Sequence, residues 1–152
     1  MQSNGGVVKH STAGEKPVTM LLSGPAAGIL GAIHMATLAG YDNILTSDVG
    51  GTSTDIAIIE KQTPMYTSES MIEHYPVKTP MLDIVTVGSG GGSIAWTDPY
   101  GSLKVGPQSA GADPGPICYG RGGKQPTVTD AAIVLGRLPT ARIRGEIKLD
   151  LA

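Results

Sequence analysis

Apolar residues recur along this chain in short runs, separated by stretches rich in glycine, proline and hydroxyl side chains. Ile29, Leu30, Ile33 and Ala36 return at helical spacing, which predicts a helix with one buried face. Ser23 stands where an N-cap belongs, Pro25 falls in the first turn, and Gly40 follows as a stop. Inside that helix Gly28 and Gly31 each cost about 1 kcal/mol relative to Ala. They imply close approach of another backbone, through tight helix–sheet packing, or of a ligand. Residues 18–22 read as a short strand, and residues 1–16, polar and glycine-rich, as an extended or partly loose lead-in.

Beyond the helix, the apolar runs at 44–49 and 53–59 flank a polar turn and predict adjacent antiparallel strands. Residues 64–70 read as extended, and 83–87 as a strand that the glycines at 88–92 interrupt. Ile94-Ala-Trp and Leu103-Lys-Val form a predicted hairpin through Asp98-Pro-Tyr-Gly101, a good turn sequence. Residues 107–123 are a long loop, rich in both glycine and proline. Thr127, Thr129 and Asp130 offer capping side chains for a helix through Ala131, Ala132, Val134 and Leu135, closed by Gly136. Residues 142–152 hold a final short strand or simply the end of the piece. Strands outnumber helices and adjoin in hairpins, so a mixed sheet is expected rather than a purely parallel one.

Composition narrows the picture to one compact α/β domain. A length of 152 residues is that of a single domain able to bury a core. With no Phe and one Trp, that core must be aliphatic. A net charge of −2 argues against nucleic acid or an anionic membrane as partner. One cysteine, Cys118, forms no internal disulfide and fits a reducing cytoplasm. No apolar run reaches the ~18 residues of a membrane span, and the N-terminus does not read as a signal peptide.

The candidate chemistry centres on Asp48-Val-Gly-Gly-Thr-Ser-Thr-Asp55. Gly50 and Gly51 can take φ > 0 and bring bare backbone N–H groups against an anion. Thr52, Ser53 and Thr54 add hydroxyl donors, and Asp48 or Asp55 can hold a hydrated divalent cation. The Gly-Lys-Ser/Thr tripeptide of a Walker loop is absent from the sequence. A second candidate is the run Gly88-Ser-Gly-Gly-Gly-Ser93, in which Gly90 and Gly91 can approach a ligand closely; the alternative is a purely structural cluster. The loop at 107–123 is third, with Ser109, Asp113, Cys118 and Arg121 as its polar groups. Cys118 lacks an evident catalytic partner and reads as a small buried thiol. His10, His34 and His74 show no metal-ligand spacing. His34 falls within the helix as a packing or surface residue, while His74 with Asp83 is a weaker substrate or metal candidate.

Met1-Gln-Ser-Asn-Gly-Gly6, Ser23-Gly-Pro-Ala-Ala-Gly28, the Asp48 block, Gly88-Ser-Gly-Gly-Gly-Ser-Ile-Ala95, the Ser109 to Gly123 block and Thr127-Val-Thr-Asp130 follow one another in order. Together they resemble the hydantoinase A / 5-oxoprolinase family, which includes acetone carboxylase subunits. The resemblance implies a ribonuclease H-like half of an actin, hexokinase and Hsp70-type ATPase core, with ATP and Mg²⁺ as cofactors. It implies that residues 1–152 are a single partial domain, an interior second-half piece. A first Asp-x-Gly-Gly-Thr-x-Thr-Asp loop and a Gly-Gly-x-Gly-Pro stretch of the family are not found in it. The implied activity is opening of a cyclic amide after ATP-dependent phosphorylation of the amide oxygen. Gly50, Gly51, Thr52, Ser53, Thr54, Gly90 and Gly91 would bind the phosphates, with Asp48 on the metal. Asp48 or Asp55 would also serve as general base or orient the amide. Implied partners are the rest of the chain or a hydantoinase B-type subunit. A carboxylase of the acetone type, a non-catalytic nucleotide-binding module and a sugar-kinase-like transferase remain as alternatives.

Overall fold

The computed structural model describes residues 1–72 and 74–139. They divide into two compact units, one of residues 1–48 and 55–85, the other of 49–54 and 86 onward.

The first unit opens with residues 1–6 held in a hydrogen-bonded turn, where composition suggests a loose lead-in. The N–H of Ser3 and its hydroxyl both donate to the Thr19 carbonyl, at 2.7 and 2.9 Å, and Ser3 is fully buried. Helix α1 (His10–Glu15) follows, then a 3₁₀ turn at Pro17–Met20. That turn replaces the strand expected over 18–22. The Thr19 N–H and hydroxyl both fold back on the Lys16 carbonyl, and the Thr19 carbonyl is taken by Ser3, which leaves no ladder to join.

Helix α2 (Ser23–Ala39) starts at Ser23 rather than being capped by it, and its N-cap, Leu22, makes no side-chain cap bond. The stop is as expected: Gly40 adopts φ 80° and its N–H reaches the carbonyls of Ala36 and Thr37. Strands β1 (Ile44–Val49) and β2 (Thr54–Glu60) are sheet neighbours joined by the short turn 50–53, a connection that only antiparallel strands allow. Along β2, buried Ala57 and Ile59 alternate with exposed Ile58 and Glu60. They meet Ala26 and Ile29 of α2 and Leu82 in a core flanked by Ile33, Ile44 and Ile84, aliphatic throughout as the composition requires.

Strands β3 (Thr63–Pro64), β4 (Tyr66–Thr67), β5 (Ser70–Ile72), β6 (Tyr75–Val77), β7 (Met81–Leu82) and β8 (Val85–Val87) are short. β3 and β8 both pair with β2, and β4–β7 and β5–β6 form separate ribbons. In the second unit β9 (Ser93–Thr97) and β10 (Leu103–Ser109) form a further ribbon with Leu103 opposite Thr97. The pairings β2–β3, β4–β7, β5–β6 and β9–β10 are antiparallel. The chain is therefore α/β, with a four-stranded sheet and three two-stranded antiparallel ribbons among the described residues.

The β9–β10 turn is as read from Asp98-Pro-Tyr-Gly101: the Asp98 carboxylate accepts from the N–H groups of Tyr100 and Ser102, each at 2.9 Å. A 3₁₀ turn at Ile117–Tyr119 interrupts the long loop, and helix α3 (Val128–Val134) follows it. Thr127 caps α3 in a reciprocal capping box with Asp130, and Cys118 and Ile133 make a small core with Tyr119. The strand expected at 142–152 lies outside the described residues.

Candidate functional site

The turn 50–53 closes on itself through the Gly50 N–H, which donates to the Ser53 carbonyl at 2.8 Å. Gly51 and Thr52 are exposed. Among the described residues no protein acceptor takes their backbone N–H groups. Neither Gly50 nor Gly51 has positive φ, so left-handed backbone is not why glycine stands there. A Cβ on Gly50 would lie 3.2 Å from the Ser53 carbonyl oxygen, whereas one on Gly51 would meet nothing within 4 Å. The first glycine relieves crowding within the turn, and the second leaves its outer side bare.

The glycine run packs directly behind this turn. Gly91 N–H donates to the Gly50 carbonyl at 2.9 Å and Gly92 N–H to the Gly51 carbonyl at 2.6 Å. A Cβ on Gly90 would sit 2.6 Å from the Gly50 oxygen and 2.7 Å from both the Ser53 nitrogen and the Thr52 carbonyl carbon. Backbone atoms cannot yield at such distances, so what approaches Gly90 is the hairpin. The Thr54 hydroxyl donates to the Ser89 carbonyl, and buried Ser93 accepts the Gly90 N–H at 2.8 Å. Behind Gly91, Thr129 of α3 donates to its carbonyl through both its N–H and its hydroxyl, each at 2.8 Å. Sequence reading assigned Thr129 to capping alone, because no spacing rule links position 129 to position 91.

The loop at 107–123 contributes Ser109, whose hydroxyl lies 3.5 Å from that of Thr52 and accepts the Gly111 N–H at 3.2 Å. Asp113 and Arg121 are exposed. Cys118 is buried, and burial pushes its thiol up to about 12, helped by the adjoining Asp130 carboxylate. It is therefore a thiol at neutral pH and no nucleophile, in keeping with its reading from sequence. Burial works against the Asp130 carboxylate as well. The N–H of Cys118, then the thiol and the Thr127 hydroxyl and N–H, outweigh it and hold Asp130 below the usual carboxylate range.

Asp48 and Asp55 belong to the first unit, where both line a groove of about 650 Å³ with Pro25, Gly28, Ile29 and Ala32 of α2. Asp48 is exposed and Asp55 half-buried. A Cβ on Gly28 or Gly31 would meet nothing within 4 Å. The tight backbone packing expected at these glycines is therefore absent among the described residues; Gly28 instead opens onto the groove. His34, His74 and Asp83 are exposed, and no group of three or more His, Cys, Asp or Glu among the described residues could hold a metal. No helix among them is long and apolar enough to cross a membrane.

Residues 1–151 match the hydantoinase/oxoprolinase family model. The chain belongs to that family. Among family relatives, the alpha subunit of caprolactamase from Pseudomonas jessenii is 44% identical over 98% of this chain and 22% of its own length. The solved structure of that organism's ATP-dependent caprolactamase superposes with a TM-score of 0.75 at 43% identity, over 88% of this chain and 19% of the other. 5-Oxoprolinase 1 of Arabidopsis thaliana is 42% identical over 90% of this chain and 10% of itself. A nucleotide-free acetone carboxylase, from work on ATP-dependent acetone carboxylation, superposes with a TM-score of 0.79 at 32% identity, over 99% of this chain and 21% of that one. The hydantoinase/oxoprolinase chain described here thus spans less than a quarter of each of these relatives.

Proposed function

We propose that this chain supplies the phosphate-binding turn of an ATP-dependent amidohydrolase that opens a cyclic amide of the hydantoin or 5-oxoproline type. The observation that carries the reading is the exposed turn 50–53, where the N–H groups of Gly51 and Thr52 lack acceptors among the described residues, beside the Thr52 hydroxyl. A donor set of neutral amides and hydroxyls, with no acid within the turn, suits a polyphosphate. Family membership supplies the nucleotide and the amide: the relatives include an ATP-dependent caprolactamase and a 5-oxoprolinase.

In this reading the Gly51 and Thr52 amides and the Thr52 and Ser53 hydroxyls hold the β- and γ-phosphates. Thr54 fixes the far end of the turn through Ser89, and Gly90 and Gly91 serve the phosphates by bracing the turn from behind. Asp48, exposed at the end of β1, orients Mg²⁺, which takes one or two carboxylates and keeps several waters. Asp55 orients the substrate amide or accepts a proton from water. ATP, when bound, would supply the phosphoryl group that makes the amide carbon electrophilic, so that water could add there, the ring C–N bond break with its nitrogen leaving protonated, and a second water release phosphate from the resulting acyl group. The family resemblance also supports a ribonuclease H-like, actin-type half with α2 packed on the β1–β2 hairpin. Further segments of the family's length, or a hydantoinase B-type subunit, would complete the cleft. The single buried thiol suits a reducing compartment, and we place the protein in the cytoplasm.

Carboxylation of a ketone is the second reading, favoured by the higher TM-score of the acetone carboxylase; the higher identity of the caprolactamase favours the amide. The deciding experiment follows ADP release by the protein in its natural length with hydantoin, 5-oxoproline, or acetone plus bicarbonate. Release stimulated by a cyclic amide supports the proposal. Release stimulated only by the ketone pair overturns it.

A further inference from the structure

We infer that Thr129 is a positioning residue for the phosphate-binding turn, acting through Gly91. The inference rests on the reading of that turn given above. Thr129 is nearly buried, at 8% exposure, and directs both its N–H and its hydroxyl at the Gly91 carbonyl, each at 2.8 Å. It sits in the first turn of α3, where backbone N–H groups have no partner within the helix. The Thr127–Asp130 capping box fixes that turn of α3. Gly91 has no room to move toward the helix, because even a Cβ there would lie 2.8 Å from the Thr129 hydroxyl oxygen.

From Gly91 the constraint passes to the hairpin. Gly91 and Gly92 hold the carbonyls of Gly50 and Gly51 through their N–H groups. The peptide bonds after Gly50 and Gly51 are trans, so each N–H points opposite to the carbonyl of the same peptide unit. A Gly50 carbonyl drawn toward Gly91 turns the Gly51 N–H away from it, and a Gly51 carbonyl drawn toward Gly92 does the same for Thr52. The two amides, which lack acceptors among the described residues, face outward because the carbonyls of their peptide units are held inward. Thr129 anchors the strip that holds them.

The test compares Thr129→Val, which keeps shape but loses the hydroxyl donor, with Thr129→Ser, which retains it. Both are measured well below their melting temperatures, for Mg-ATP affinity and for hydrogen exchange at the Gly51 and Thr52 amides. Thr129→Val should weaken ATP binding about tenfold and alter exchange at both amides, while Thr129→Ser stays within about threefold of the parent. If Thr129→Val does not fold, Thr129→Ala, which leaves the capping box intact, makes the same comparison. A lowered melting temperature with unchanged ATP affinity and unchanged exchange would reduce Thr129 to a structural role and overturn the inference. Gly51→Val separates this from failure of the underlying reading. If it binds ATP normally, the phosphate assignment falls and the inference with it. If it loses ATP while Thr129→Val does not, the inference falls alone.

Discussion

Two glycines of one site have opposite reasons for lacking a side chain, and substitution should tell them apart. Gly90→Ala forces a Cβ against three backbone atoms and should destabilise the protein by about 1–3 kcal/mol. Gly51→Ala meets open space and should stay within about 0.5 kcal/mol of the parent, yet weaken ATP binding by intruding on the ligand's side. Urea unfolding and titration calorimetry check the pair; a Gly51 variant that unfolds early would contradict the open geometry. Asp48→Asn should keep the fold, being exposed near a turn that Asn tolerates, and should lower kcat for ring opening by about 10²-fold or more if the charge orients Mg²⁺. Exposed His34 provides the control, with kinetic constants of His34→Ala within about threefold. Two titrations carry stability. Asp130 is held below its unfolded value of about 3.9, so its contribution is full above that pH and is lost as pH falls through the lower folded value. Cys118 is raised to about 12, so its contribution is full below the unfolded value of about 8.5 and is lost as pH rises from there. Unfolding free energy measured against pH should flatten at the acid end in Asp130→Asn and at the alkaline end in Cys118→Ala. Equal slopes in variant and parent would remove either assignment.

At the scale of elements, α3 was legible because its signal is local. Thr127 and Asp130 lie three residues apart, and that spacing alone specifies the reciprocal bonds that the helix makes. Thr127→Ala should therefore cost about 1–2 kcal/mol in chemical denaturation; an unchanged midpoint would mean that the cap carries little. The stop of α2 at Gly40 was legible for the same kind of reason, since its φ of 80° suits glycine. The start of α2 was not. Ser23 has the right side chain for a cap, but the Leu22 N–H is already directed to the Ser3 hydroxyl, at 3.4 Å, and the chain enters the helix one residue earlier than a Ser23 cap allows. The 3₁₀ turn at Pro17–Met20 escaped notice similarly, because its backbone partner is Ser3, sixteen residues upstream.

For the whole molecule, the small share of each relative that this chain spans leads to a direct expectation. On its own the chain should bind nucleotide weakly and show no appreciable ATP-dependent ring opening of 5-oxoproline or a hydantoin, and robust turnover in a coupled ADP assay would refute the half-cleft picture. The sequence by itself determined the family, through ordered blocks that run from residue 1 to residue 130, and it determined the β1–β2 hairpin, the β9–β10 turn and the aliphatic core. These follow from local pattern and composition, which need no knowledge of what lies opposite. Only the tertiary structure decided what the glycines do. It separated the bare outer side of Gly51 from the crowded Gly90, placed Gly28 on an open groove, and joined Thr129 to Gly91. The crowding at Gly90 and the bonds from Thr129 to Gly91 are contacts between positions far apart in the chain, fixed by how the backbone returns on itself. No residue pattern encodes such a return until the chain has folded.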